Sequence, residues 1–164
     1  MTLEGTEVFL VNSVRAANNF IEWVAEKRLE EDGILAYDLE TTGLNPRLPE
    51  SKIRLAQLGD EQKGWAIPWE GWSGVFLEAM ELWEGPIVGH NTTFDNRWLM
   101  LHADWSPPYE RIHDTMIMAQ IMEPHLNASL KDLSNRHVDR RASVGEKLLK
   151  QAFKEQGWDW DTVP

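Results

Sequence analysis

The chain has no cysteine. That excludes both a disulfide framework and a thiolate metal site, and it fits a reducing compartment. Long apolar runs are missing too: none approaches the ~18 residues of a membrane-spanning helix, so no membrane partner is expected. The opening MTLEGTEVFLVNSV lacks the basic start and apolar stretch of a secretion signal, and we read the protein as cytoplasmic. Positive charge is scarce, with 16 Lys and Arg against 27 Asp and Glu and a net charge of −11. Such a surface argues against general nucleic-acid binding, which rests mainly on Lys and Arg. It does not exclude a site whose acids are neutralised by metal ions that then face a phosphate. One segment reverses the balance: residues 131–154 hold seven Lys and Arg against three acids, a local +4. A solvated helix face explains that equally well.

The 164 residues are enough for one domain with a real core, spanning 1–164. Nine tryptophans are many for this length, and most fall between Trp65 and Trp105, where they are expected to thicken the core. Along the chain, Glu7–Val11 reads as a short strand, and Ser13 caps a helix carrying Phe20, Ile21, Val24 and Ala25 to about Arg28. Residues 34–40, 53–58 and 64–68 then form an antiparallel meander, because the loops between them are too short for crossover helices. A helix over Trp72–Trp83 stops at Gly85-Pro86, and Ile87–Gly89 is a buried strand, parallel to the first of the meander. Helices follow from Asn91, over Met116–Met122, near Ser129–Val138 and over Ser143–Gln156, with a strand at 111–115 among them. The pattern describes an α/β layer fold with a mixed sheet.

Residues 34–44, ILAYDLETTGL, organise the rest. Ile34, Leu35, Ala36 and Tyr37 suit a buried strand and carry Asp38 and Glu40 with them. The strand period of two puts these acids on one face, with stems roughly 6.6 Å apart. Either they face water at a strand end, or they share a divalent cation, for which carboxylate oxygen is a suitable ligand. A third acid, Asp95, lies about one turn into the helix that Asn91 is expected to cap, where the helix dipole favours negative charge.

Tyr37-Asp38-Leu39-Glu40-Thr41-Thr42-Gly43-Leu44 resembles the first motif of the Asp-Glu-Asp-Asp 3′→5′ exonucleases, and Val88-Gly89-His90-Asn91-Thr92-Thr93-Phe94-Asp95 resembles the second. The spacing between them, the Arg-Leu-Ala-Gln-Leu-Gly strand at 54–59 and the Asp114-Thr115 pair are similar to the proofreading domain of family A DNA polymerases, most of all those of actinobacterial phages. The resemblance implies a ribonuclease H-like fold and hydrolysis assisted by two divalent ions, Mg²⁺ or Mn²⁺, one serving the attacking water and one the leaving oxygen. It implies Asp38, Glu40 and Asp95 as catalytic metal ligands. Thr41 and Thr42 would bond the terminal nucleotide of a single-stranded DNA 3′ end, Leu44 would wedge against its base, and Asn91 and Phe94 would line the single-strand channel. Core packing explains Phe94 about as well, and hydrogen-bonded structure explains His90 better than ligation. Asp114 reads as structural, capping its own helix. A polymerase domain is the implied partner, in the host cytoplasm if the chain is phage-encoded.

The family also uses a fourth acid on a later helix, preceded by Tyr four residues or His five residues before it. No tyrosine follows Tyr109, and His102, His113, His125 and His137 lack Asp at either spacing. Asp159 and Asp161 are nearby acids without that partner. We therefore expect a C-terminally incomplete exonuclease domain. Two other readings stay open: a crippled nuclease-like module that binds nucleic acid, and an exoribonuclease of the same superfamily.

Overall fold

Alternation along the second strand sets the two faces of the sheet. The structure, a computed structural model, describes residues 6–138 and 144–158. The chain divides into two compact units, Met1–Asp114 and Thr115–Pro164, which are described separately. In strand β2 (Leu35–Thr41) the side chains of Leu35, Tyr37 and Leu39 are buried while those of Ala36, Asp38 and Glu40 are exposed. This corrects the expectation of a uniformly buried run: Ile34 is 51% exposed, and only alternate residues enter the core. One face of the strand is packed by helices and the other is open, the usual arrangement for a strand with an antiparallel neighbour.

The first unit is built on a six-stranded sheet in the order β1-β4-β3-β2-β5-β6. Strands β2, β3 (Ile53–Gly59) and β4 (Lys63–Pro68) form the expected antiparallel meander, with Asp38 opposite Gln57 and Gln57 opposite Ala66. Strand β1 (Glu7–Leu10) pairs parallel to β4 at one edge. On the other side β5 (Ile87–Gly89) runs parallel to β2, and β6 (Ile112–Asp114) parallel to β5. This is a ribonuclease H-like mixed sheet with flanking helices.

Helix α1 (Val14–Lys27) starts where Ser13 Oγ accepts the Ala16 N–H at 3.2 Å, and it buries Ala17, Phe20, Trp23 and Val24. Phe20 and Trp23 lie 5.3 and 6.1 Å from Trp65 of β4, ring centre to ring centre. Helix α2 (Trp69–Leu82) has a non-helical joint at Glu70 and Gly71, so its regular part opens at Trp72 as expected. It buries Phe76, Ala79 and Met80. Trp23, Trp65, Trp83 and Trp98 are buried, so tryptophan does thicken the core. Helix α3 (Thr92–Ala103) follows β5 after a two-residue turn and buries Thr92, Asp95, Trp98 and Leu99.

In the second unit α4 (Thr115–Met122) and α5 (Leu130–His137) lie within one residue of their expected spans. Ser129 caps α5 reciprocally: its Oγ accepts the Asp132 N–H at 3.3 Å and donates to Asp132 Oδ2 at 2.7 Å. Helix α6 runs Val144–Gln156. Asp159 and Asp161, the acids considered for a fourth ligand, and Ser143 lie outside the described residues.

At the end of β5 the chain comes close to β2. A Cβ on Gly89 would stand 2.6 Å from Thr92 Cγ2 and 3.2 Å from Tyr37 Cε1. The Thr92 methyl cannot rotate away freely, because Thr92 Oγ1 donates to Asp114 at 2.8 Å. Gly89→Ala is expected to cost ~1–3 kcal/mol of stability, measured by urea unfolding with tryptophan fluorescence. An unchanged midpoint would mean that this contact is slack.

Candidate active site

Strand β5 is shorter than the strand it pairs with, and the site grows from that mismatch. β2 pairs with β5 only at Leu35 and Ala36, yet it continues along β3 to Thr41. On the β5 side the Leu35 N–H reaches Pro86 O at 3.3 Å, but four residues later the strand neighbour has ended. A buried N–H left there without an acceptor would be costly. Asp95 of α3 supplies one: its Oδ1 accepts the Leu39 N–H at 3.2 Å. The helix acid is thereby fixed at the backbone between Asp38 and Glu40, and it is 3% exposed.

Asp38 and Glu40 stand on the open face of β2. Gln57, opposite Asp38 on β3, places its amide Nε2 3.4 Å from Asp38 Oδ2 and 3.5 Å from Glu40 Oε1. One side-chain amide thus faces both carboxylates with its two N–H donors. All three acids titrate above the ordinary carboxylate range. Burial raises Asp38, opposed by His90 and the Leu39 N–H. Burial and then the Asp38 charge raise Glu40, opposed by Arg54 and Gln57. Asp95 is pushed up to about 7 by burial, then by Asp38 and Asp114, against the hydrogen bonds it accepts from its own N–H and that of Leu39. Tyr37, whose OH donates to Asn96 Oδ1 at 2.8 Å, is raised by burial and then by Asp95, Asp114 and Asp38, so it stays a neutral donor.

The donor set suits a hard divalent cation in kind: three carboxylates, oxygen atoms only, all raised by burial, with the Asp38 charge raising Glu40 and Asp95 further. As they stand, no three Asp, Glu or His side chains among the described residues are gathered closely enough to hold an ion.

The turn that delivers Asp95 is held by another acid. Asp114, at the end of β6, accepts the Asn91 N–H at 3.1 Å, the Thr92 N–H at 2.7 Å and the Thr92 hydroxyl at 2.8 Å. Asp114 has a structural role, and its carboxylate serves the start of α3. Asn91 occupies the cap position expected for it and makes no side-chain cap bond there. Its backbone is left-handed at φ 60°, a conformation that asparagine tolerates better than most residues, and Asp114 does the capping instead.

The remaining residues named from the resemblance divide between exposed and packed positions. Leu44 is 83% exposed at the tip of the loop after β2. Thr41 Oγ1 donates to Gly43 O at 2.8 Å. Thr42 is engaged with Lys52, its Oγ1 accepting the Lys52 N–H at 3.0 Å. Asn91 is exposed, and half-buried Phe94 packs on Trp98 with ring centres 6.1 Å apart. Gln57 and the role of Asp114 escaped the reading of the sequence. Gln57 had a signal in the alternation of its strand, but its partner across the sheet needed the register.

The Asp95 shift has a sign that can be measured. A carboxyl raised from 3.8 unfolded to about 7 folded stabilises the fold fully below pH ~4, and that contribution fades as pH rises through 7. In chelator, unfolding free energy should therefore fall across this window. Asp95→Asn keeps an acceptor for Leu39 and should remove much of the slope, becoming the more stable protein above pH 7 by on the order of 2–4 kcal/mol. Parallel pH profiles for the two proteins would contradict the assignment.

A model of the 3′-5′ exonuclease family of DNA polymerase A type matches residues 11–164. The DNA polymerase of Mycobacterium phage L5 is 32% identical over 145 residues, covering 79% of this chain and 24% of the polymerase. DNA polymerase I of Aquifex aeolicus (strain VF5) is 32% identical over 119 residues, covering 71% of this chain and 19% of that protein. The chain thus spans about a quarter or less of these curated relatives. Among solved structures, RNase D of Trypanosoma brucei, crystallised with GMP, superposes with a TM-score of 0.68 at 12% identity, covering 96% of this chain and 50% of that one. Exonucleases of this family are generally divalent-metal dependent. By its match over nearly the whole length, the chain belongs to the 3′-5′ exonuclease family of DNA polymerase A.

Proposed function

We propose that the chain hydrolyses the terminal phosphodiester of single-stranded DNA 3′ ends, as the proofreading part of a DNA polymerase in the cytoplasm. The observation that carries this reading is the lodging of Asp95 at the Leu39 N–H, which joins the helix acid to the Asp38 and Glu40 pair. These three would hold two divalent ions, Mg²⁺ or Mn²⁺. Bound there, the ions supply Lewis-acid stabilisation of the charge that builds on the phosphate. The chain itself contributes position. Thr41 and Thr42 place the loop that follows the acids, exposed Leu44 offers an apolar contact for a terminal base, and Asn91 and Phe94 flank the approach. Stacking and apolar contact of this kind accept any base. DNA is supported by the likeness to two DNA polymerases.

A second reading, an RNA 3′ end, is favoured by the likeness to RNase D. A third, a binding module without useful turnover, is favoured by the missing Tyr or His partner of a fourth acid within residues 1–164. Loss of one orienting or general-base group commonly costs 10²–10⁴-fold, so slow turnover is expected of these residues alone.

The test has two parts. Mn²⁺ calorimetry should show binding heat and a thermal shift in the parent that Asp38→Asn with Asp95→Asn removes; identical titrations would end the metal reading. In Ca²⁺ at one salt concentration, a DNA 3′ overhang should bind more tightly than a blunt duplex, and than an RNA strand of equal length. Equal binding of overhang and duplex would overturn the end-directed reading, and preference for RNA would select the second. Fast metal-dependent removal of 3′ nucleotides would refute the expected slowness and direct Asn substitutions to Asp159 and Asp161.

A further inference from the structure

The loop between β2 and β3 carries Leu44 out into solvent, and it is an ordered clasp in its own right. Its ends are joined by Thr42 N–H to Lys52 O at 3.1 Å and Lys52 N–H to Thr42 Oγ1 at 3.0 Å. Inside it, Asn45 Oδ1 accepts the Arg47 N–H at 3.1 Å, Asn45 O accepts the Ser51 hydroxyl at 2.6 Å, and Leu48 O accepts the Ser51 N–H at 3.0 Å. Such bonds fix the internal shape of a loop and leave open where it sits on the body. His102 addresses that second need. Its Nε2 lies 3.0 Å from the carbonyl oxygen of Pro46, a buried residue of the loop. A carbonyl can only accept, so Nε2 carries the proton. The ring is held on its other side by Trp98, stacked with centres 5.1 Å apart and planes 20° from parallel, and Trp98 is 0% exposed.

His102 belongs to the last turn of α3, the helix that carries Asp95 two turns earlier. We propose that His102 is a positioning residue for the end-binding loop, tying residues 42–52 to α3 so that Leu44 and Asp95 keep one geometry. This rests on the reading of Leu44 as a contact for the 3′-terminal nucleotide. Leu44 touches the substrate and His102 acts through it. An exposed leucine on a loop free to rock would surrender its contact to the cost of ordering the loop at each binding event; a loop held beforehand avoids that cost.

The experiment compares His102→Ala, which removes both donor and ring, with His102→Gln, which keeps a donor able to reach Pro46 O. Amide hydrogen exchange of the 164-residue protein should rise about tenfold or more within residues 43–51 in the Ala variant, with β2 and the first turns of α3 unchanged, and Gln should restore part of the protection. Binding of a fluorescent DNA 3′ overhang in Ca²⁺ should weaken about 5–10-fold in His102→Ala while Mn²⁺ affinity holds. The double variant with Leu44→Ala should bind no worse than Leu44→Ala alone, because the histidine works through the leucine. Unchanged loop exchange overturns the clasp, and additive losses in the double variant overturn its role in positioning. Should the Leu44→Ala variant bind the overhang as well as the parent does, the contact assigned to Leu44 fails and this role falls with it, whereas the Mn²⁺ titration reports separately on the acid site.

Discussion

A single buried hydrogen bond, from the Leu39 N–H to Oδ1 of Asp95, joins β2 to α3 at the three acids. It exists because β5 ends while β2 continues, which leaves a backbone donor in the interior with no strand beside it. The same burial that makes the bond firm makes the charge costly, which is why this carboxyl titrates near neutrality.

Around that bond, acids of different duties are set close together. Asp114 accepts from three donors at the start of α3 and so anchors the turn between β5 and the helix. The left-handed Asn91 lets the chain turn that sharply, and Gly89 lets it pass against Tyr37 and Thr92. Asp38 and Glu40 stand on the sheet's open face, where the Gln57 amide meets both at long range and His90 and Arg54 add positive charge nearby.

Helix α3 thereby has two ends with two uses. Its first turn brings Asp95 to β2, and its last turn reaches the loop that begins one residue after β2 ends. Strand, loop and helix form one circuit closed by hydrogen bonds at both ends.

Much of this was legible in the residues alone. The period of two in residues 35–41 put Asp38 and Glu40 on one face, helical spacing located α1, α2 and α3 to within a few residues, and short loops implied the antiparallel meander. These are local properties, decided by side-chain direction and chain length over a few residues. The two motifs in order marked the family, which the match over residues 11–164 bears out. Tertiary structure alone decided the parallel pairing of β1 with β4, the one-sided burial of β2, the transfer of the α3 cap from Asn91 to Asp114, and the contacts of Leu39 with Asp95 and of His102 with Pro46. Each joins groups 22 to 56 residues apart, or depends on which neighbour covers a face. Periodicity carries no information about such partners, because a hydrogen bond is chosen by where a donor is stranded when the sheet closes.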